Sequence, residues 1–345
     1  MKIKAISYRV PSKLISNDDV LDFIDSKNPN IVRSNKAVYL KFVNRLLRQT
    51  GAKTRYWLDL AAGERAIDSI LPVMDEALNQ AGLKPKNIDL LIYCGVGRGF
   101  LEPANAYFYA RLKGMTSAQC FDITDACMSW VRALQIAQQM LETGAYRTIM
   151  VLNAEFNFAS HGNWEIRGLQ SLNYTFPMYT IGEATTATIV TGEGEPWRFD
   201  YLSRPGSASL CTIPLEDYAS YIGFDETVNL NGINRFVSFG KELFEESRRA
   251  LVTLFTQTIT DVHSHTLYFP HAPSKTIYED VWAALGHPAE KLFLSVYPRF
   301  GNLVSASIPV GLCLAQAEGR LCEGNSIAFI PASAGIVAAV AQLKF

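Results

Sequence analysis

One local pattern occurs twice in this chain. Residues 64–82 carry apolar side chains at helical spacing through Ile67, Ile70, Leu71, Met74 and Leu78 and stop at Gly82. A Pro-containing turn then leads into an apolar run over residues 88–94. Residues 241–262 repeat the pattern, with Leu243, Leu251, Leu254 and Phe255 on a helix and a strand expected at 267–269. A chain that spells helix, turn and strand twice is constrained toward two similar halves, the mark of internal duplication. With 345 residues, two halves of ordinary domain size fit, expected at 1–175 and 176–345.

Between the repeats the spacing predicts a helix over residues 129–142, with Val131, Leu134, Ile136, Ala137, Met140 and Leu141 facing inward and Gly144 as a stop. A strand is expected over 148–153. Helices alternating with near-continuous apolar strands predict an α/β fold in layers, with a mainly parallel sheet covered on both faces. The stretch 155–235, rich in Asn, Gly, Ser and aromatics, reads as loops that shape a pocket. Hydrophobic residues at 48% against 19% charged support a large core and argue against a disordered chain.

The 32 basic and 33 acidic side chains leave a net charge of -1, which argues against general attraction to nucleic acid or a membrane surface. No apolar run reaches the roughly 18 residues a bilayer span needs. Met1 runs into the alternating Lys2-Ile3-Lys4-Ala5-Ile6 without an apolar signal core, so a cytoplasmic location is expected. Cys94, Cys120, Cys127, Cys211, Cys313 and Cys322 show no CxxC or Cys/His spacing. Free thiols and no metal site are the expectation.

Three residues stand where chemistry can be done. Cys127 follows a short apolar run and precedes the 129–142 helix, whose N-terminal partial charge favours thiolate, the nucleophilic form. A free cysteine is also a common small buried residue, and position alone leaves both readings open. His271, in Phe269-Pro270-His271-Ala272-Pro273, lies just beyond the second-half strand, and Asn302, after Gly301, opens a helix. Imidazole and carboxamide beside a thiolate can donate to a thioester carbonyl as it gains negative charge. His161, His263, His265 and His287 lack a comparable setting and read as surface or packing residues.

Taken together these residues resemble the ketoacyl-acyl-carrier-protein synthase III branch of the thiolase superfamily. Its Asp-x-x-x-Ala-Cys is matched in part over 122–127, its His-x-x-Asn by His271 to Ser274, and its Gly-Asn-x-x-x-Ala-Ser-x-Pro over 301–309. Its Thr-Gly-x-x-x-Arg appears as Thr50-Gly51-Ala52-Lys53-Thr54-Arg55. The resemblance implies a thiolase fold of five layers, αβαβα, with two duplicated halves, and a homodimer. It implies a catalytic set of Cys127, His271 and Asn302, and an oxyanion hole from the backbone N–H groups of Cys127 and Ala334. It also implies acyl substrates carried on the phosphopantetheine of an acyl carrier protein or coenzyme A, with no further cofactor. Two departures favour the carrier protein. Ser274 replaces the family's Asn, and the tryptophan that stacks on the adenine of coenzyme A is missing before Thr50-Gly51. Lys41, Arg45, Arg48, Lys53 and Arg55 offer positive charge to an acidic carrier, with a solvated helix face as the alternative.

Gly99-Phe100-Leu101-Glu102-Pro103-Ala104 is similar to the Leu-Glu-Pro stretch of the head-to-head condensing members, namely olefin-forming thiolases and the ketosynthases of pyrones and dialkylresorcinol or cyclohexanedione precursors. There the glutamate reaches the neighbouring subunit's site, which would make Glu102 the base that takes an α-proton when no carboxyl group is lost. A glutamate capping the helix after Pro103 is the structural alternative. The activity expected is Claisen-type condensation of a Cys127-bound acyl group with a second, β-ketoacyl thioester, in secondary metabolism. Ester or amide formation, decarboxylative chain initiation and a non-catalytic partner subunit are the rival expectations.

Overall fold

The computed structural model describes residues 1–156 and 158–345. Residue 157, within the stretch read as loop, lies outside the described residues. Two sheets organise the rest. The first runs in the order Lys2–Arg9, Ala184–Thr191, Thr148–Glu155, Leu90–Cys94, Gln119–Ile123. The second runs Arg198–Ser203, Val337–Lys344, Ser326–Phe329, Leu267–Phe269, with the short Ala332–Ser333 also on Val337–Lys344. The two orders correspond strand for strand. Leu292, bridged in parallel to Tyr268, stands where Gln119–Ile123 stands in the first sheet.

Helices Ser129–Glu142 and Ser307–Ala317 lie between the sheets. Trp130, Val131 and Leu134 share one buried cluster with Ile308, Val310 and Leu312, with Ile92 and Val151 of the first sheet, and with Phe269 and Phe329 of the second. Ser307–Ala317 is apolar nearly all round because it meets protein on every side, whereas an outer helix needs a single apolar stripe. Val73, Met74 and Ala77 of Ile67–Ala81 cover the outer face of the first sheet over Leu91, Met150 and Leu152. Leu251, Leu254 and Phe255 of Gly240–Thr258, with Trp282 of Lys275–Ala284, cover the second over Tyr268, Ala328 and Val340. The result is five layers, helix, sheet, helix, sheet, helix.

Two expectations need correction. The sheets are mixed: parallel ladders join Leu90–Cys94 to both its neighbours and Leu267–Phe269 to Ser326–Phe329, but the remaining ladders of both sheets are antiparallel. The stretch 155–235 also contains Ala184–Thr191, a buried strand inside the first sheet. Its composition of Ala and Thr concealed it. Two of the buried threonines are partnered, Thr185 Oγ1 donating to the Asn153 carbonyl at 2.8 Å and Trp130 Nε1 donating to Thr188 Oγ1 at 3.1 Å, whereas Thr186 Oγ1 is buried without a partner. The other expected elements are present, Ser129–Glu142 and Leu267–Phe269 at their expected limits.

Candidate active site

The duplicated topology sends corresponding strand ends toward one cavity. Beyond Gln119–Ile123 the chain makes a 3-10 turn, Ala126–Met128, before Ser129 opens the central helix. Ser129 Oγ secures the junction, accepting from Asp125 N–H at 2.8 Å and donating to the Ala126 carbonyl at 2.7 Å. Ala126 is held at φ +45°, a left-handed conformation that a non-glycine residue adopts only where its surroundings impose it. Cys127 thereby faces a cavity of about 900 Å³. Burial pushes its thiol well above the ordinary cysteine range, the neighbouring Cys211 and Glu155 push the same way, and a hydrogen bond with Ser333 opposes them. The helix terminus was expected to favour thiolate; desolvation outweighs it, and the resting group is a thiol.

His271 lies just past Leu267–Phe269, is buried, and lines the same cavity. Its Nδ1 is 3.2 Å from Ser307 Oγ, which lies 3.0 Å from the Val304 carbonyl. Burial lowers the imidazole to about 4, so it is neutral near pH 7. Asn302 sits on a turn fixed by close backbone contact. A Cβ on Gly301, at φ +71°, would lie 2.3 Å from the Thr180 carbonyl oxygen, and one on Gly182 would lie 2.0 Å from that of Phe300. Only glycine permits this approach. Asn302 N–H donates to Thr180 O at 2.9 Å and Val304 N–H to Asn302 Oδ1 at 2.9 Å. The second bond sets the amide's orientation and turns its NH2 away from Val304. Ala334 lines the cavity beyond Ala332–Ser333, next to Gly335 and Ile336, which have φ of +78° and +45°.

Other expected residues are placed differently. Ser274 lines the cavity but is buried, 3.4 Å from Thr50 O and 3.3 Å from Thr276 Oγ1. Arg55 is buried, not on a carrier-facing surface: its Nη1 donates to Asn17 Oδ1 at 2.9 Å and its Cβ packs beneath Gly182 and Gly301. Lys41, Arg45, Arg48 and Lys53 are exposed. Lys41, Arg45 and Arg48 share helix Arg33–Thr50 with Leu46 and Thr50, which line the cavity. Glu102 is exposed and outside its own chain's cavity, among the exposed Phe100, Leu101 and Tyr107. It does not cap the next helix. Asp122 does, its carboxylate accepting from the N–H groups of Asn105 at 2.8 Å and Ala106 at 3.1 Å.

The cavity wall is predominantly apolar. Helices Gly240–Thr258 and Lys275–Ala284 supply Leu251, Phe255, Ile277 and Trp282, and Leu172 and Phe176 come from the 155–235 stretch. Neither helix was expected there, because a residue facing a cavity has the same apolar spacing as one facing a core. His161, read as surface or packing, also lines it, its Nδ1 2.8 Å from the Asn234 carbonyl. So does Glu155; the available signal was an acid closing a segment that opens on the apolar Ile149-Met150-Val151-Leu152. Among the described residues no group of three or more His, Cys, Asp or Glu is placed to hold a metal ion, and no helix is long and apolar enough to cross a membrane. The six cysteines are free.

Five layers, two like halves and a cysteine facing an acyl-sized apolar cavity define a thiolase-fold enzyme. Residues 121–200 match the family 3-oxoacyl-[acyl-carrier-protein (ACP)] synthase III, and residues 257–345 match the C-terminal part of that family. A beta-ketoacyl-[acyl-carrier-protein] synthase III of Clostridium perfringens is 26% identical over 342 residues, 97% of this chain and 96% of the relative. Among solved structures, Xanthomonas campestris OleA with bound lauric acid and lauroyl-CoA superposes with a TM-score of 0.79 at 18% identity, covering 99% of this chain and 98% of that one. The 3-oxoacyl-[acyl-carrier-protein] synthase III of Aquifex aeolicus gives 0.78 at 20% identity, covering 100% and 99%. The chain is a ketoacyl-ACP synthase III-like condensing enzyme, of the acyltransferase class.

Proposed function

We propose that this enzyme loads an acyl group from a phosphopantetheine thioester onto Cys127 and condenses it, without decarboxylation, with a second thioester. The observation that carries the reading is the meeting of Cys127 and His271, each just beyond a strand end, with Asn302 on the turn after Val296–Phe300, on one apolar cavity of about 900 Å³, at the upper end of the usual range for small-molecule sites. In the first half-reaction the Cys127 thiol proton passes to His271 Nε2 as sulfur attacks the thioester carbonyl. The backbone N–H groups of Cys127 and Ala334 hold the oxyanion. The donor's C–S bond breaks, and its sulfur leaves with the proton from His271. Ser307 supports either state of the ring, because its hydroxyl can donate to an unprotonated Nδ1 or accept from Nδ1–H while donating to Val304 O.

In the second half-reaction Glu102 of the partner subunit takes the α-proton of the second thioester. The enolate oxygen accepts from the Asn302 NH2 and from His271. The carbanion attacks the Cys127 thioester, the C–S bond breaks, the Cys127 thiolate takes up a proton to return to the thiol, and Glu102 gives up the α-proton to solvent. The position of Glu102 supports this assignment: it lies outside its own cavity on a loop with exposed Phe100 and Leu101, a face a second copy of the chain would cover in a homodimer. The exposed Lys41, Arg45 and Arg48 beside the cavity suit an acidic carrier protein. A β-ketoacyl second substrate would give the pyrone, cyclohexanedione or resorcinol type of product. The test is subunit mixing. Glu102→Gln and Cys127→Ser are each inactive in condensation, and mixed dimers, holding one complete composite site in half the dimers, recover roughly a quarter of wild-type activity. An active Glu102→Gln enzyme, or mixing without recovery, refutes delivery of Glu102 in trans.

A further inference from the structure

We propose that Glu155 is a positioning residue for the condensation: its side chain ties the loop carrying Glu102 to the turn carrying Asn302 and fixes both to the end of the strand Thr148–Glu155. This rests on the roles given above to Glu102 and Asn302.

The geometry is that of a clamp. Ser305 Oγ, three residues after Asn302, donates to Glu155 Oε1 at 2.5 Å. On the other oxygen, Oε2 accepts from the N–H groups of Val96 at 3.1 Å and Gly97 at 3.4 Å, at the base of the loop that reaches Glu102 five residues later. Asn153 reinforces both arms, its Nδ2 lying 2.6 Å from Ser305 Oγ and 3.1 Å from the Cys94 carbonyl oxygen. The loop crosses the strand end too closely for any side chain: a Cβ on Gly97 would lie 2.7 Å from the Ala154 carbonyl oxygen, and one on Gly95 3.0 Å from Glu155 Oε1. The pair of elements so joined comes from opposite halves of the molecule, and Glu155 itself lines the cavity with Cys127.

The clamp has a chemical state. Burial pushes the Glu155 carboxyl up to about 7, with the Ser305, Val96 and Gly97 hydrogen bonds opposing the rise. The titratable groups within reach of its charge are Tyr93 and Cys94 on the adjacent strand and Cys127 across the cavity; each is itself shifted up by burial and is neutral near pH 7. Ionised, Glu155 accepts from all three donors; protonated, one oxygen becomes a poor acceptor and an arm is weakened. The same negative charge disfavours the Cys127 thiolate, so ionisation assists the second half-reaction and not the first.

The experiment loads Cys127 at one pH, then measures discharge into product by a second thioester from about pH 5.5 to about 8.5, in wild type, Glu155→Gln, Ser305→Ala and Glu102→Gln. Wild-type discharge is expected to rise about tenfold through a midpoint near 7. Glu155→Gln is expected to be flat with pH and at least about tenfold slower than wild type at high pH. Ser305→Ala removes a donor to the charged form, so its midpoint moves upward. A Glu155→Gln profile with the wild-type midpoint overturns the proposal, as does a slower Ser305→Ala enzyme whose midpoint is unmoved, since a merely structural contact lowers the rate equally at every pH. If Glu155→Gln fails to fold, the Ser305→Ala midpoint decides. Normal discharge by Glu102→Gln would sink the assignment of that base, while the Glu155 midpoint, read through Asn302, is judged separately.

Discussion

Adding one methyl group at Gly301 tests whether the Asn302 turn is built as described. The residue sits at φ +71°, and an alanine Cβ there would stand 2.3 Å from the Thr180 carbonyl oxygen and 3.2 Å from Arg55 Cβ. Contact distances for a methyl against oxygen begin at about 3.2 Å, so backbone must move by about 0.9 Å, and neither neighbour is the end of a flexible side chain. With ψ at -159° the residue lies in an extended positive-φ region open essentially to glycine alone, which costs an alanine on the order of 1–3 kcal/mol by itself. With the overlap, Gly301→Ala is expected to lose about 3–5 kcal/mol, at the upper end for single substitutions. Displacing a donor by close to 1 Å costs on the order of 100-fold in turnover. The control is Gly82→Ala, at φ +67° and ψ +29° with nothing within 4 Å of its Cβ, where only the left-handed helical cost of about 1–2 kcal/mol applies. Denaturant unfolding gives the stabilities, and single-turnover condensation gives the rate. Should Gly301→Ala match Gly82→Ala in both, the close packing of Gly301 against Thr180 would be wrong.

Two further outcomes follow from buried or surface charge. Glu183 is buried, accepts from Leu58 N–H at 2.7 Å, and is pushed by burial up to about 8. The folded state therefore holds this proton more tightly than the unfolded chain, so the stability it contributes is present below about 4.5 and is lost as pH rises through about 8. Urea midpoints of wild type and Glu183→Gln are expected to diverge over that window, with wild type falling; parallel curves would contradict the shift. Reversing charge with Arg45→Glu and Arg48→Glu is expected to raise KM for an acyl-carrier donor about tenfold or more at low salt while leaving KM for a short acyl-pantetheine donor unchanged, as steady-state kinetics would show. Equal effects on both donors would mean that the helix Arg33–Thr50 does not meet the carrier.

How much of this was legible beforehand depended on whether local pattern and tertiary role coincide. The helix Ser129–Glu142 has a clean apolar stripe and a glycine stop, and its limits were readable. That Cys127, His271 and Asn302 would come together on one cavity was readable because turn chemistry and family motifs keep them at fixed offsets from such elements. Ala184–Thr191 was not, since its threonines break the apolar pattern and only the fold shows Thr185 and Thr188 paired with Asn153 and Trp130 in the core. Arg55 looked like one more surface cation, and only the fold reveals that it fills the space under two glycines. Pocket-forming residues were expected in the 155–235 stretch, which supplies Leu172 and Phe176, while the walls on Gly240–Thr258 look like ordinary core in sequence. Glu155 was missed for a related reason: a single acid at a strand end acquires meaning only when Val96, Gly97 and Ser305 are brought around it.

The central claim is that Cys127 takes up an acyl group and passes it to a second thioester whose α-proton Glu102 removes. Intact-protein mass spectrometry addresses it directly, using wild type and Glu102→Gln incubated first with an acyl-carrier donor and then with a β-ketoacyl thioester. Both proteins are expected to gain the acyl mass on Cys127, and only wild type to discharge it into a condensed product. Failure of Cys127 to acylate would contradict the enzyme assignment at its root, and discharge by Glu102→Gln at the wild-type rate would contradict the non-decarboxylative mechanism.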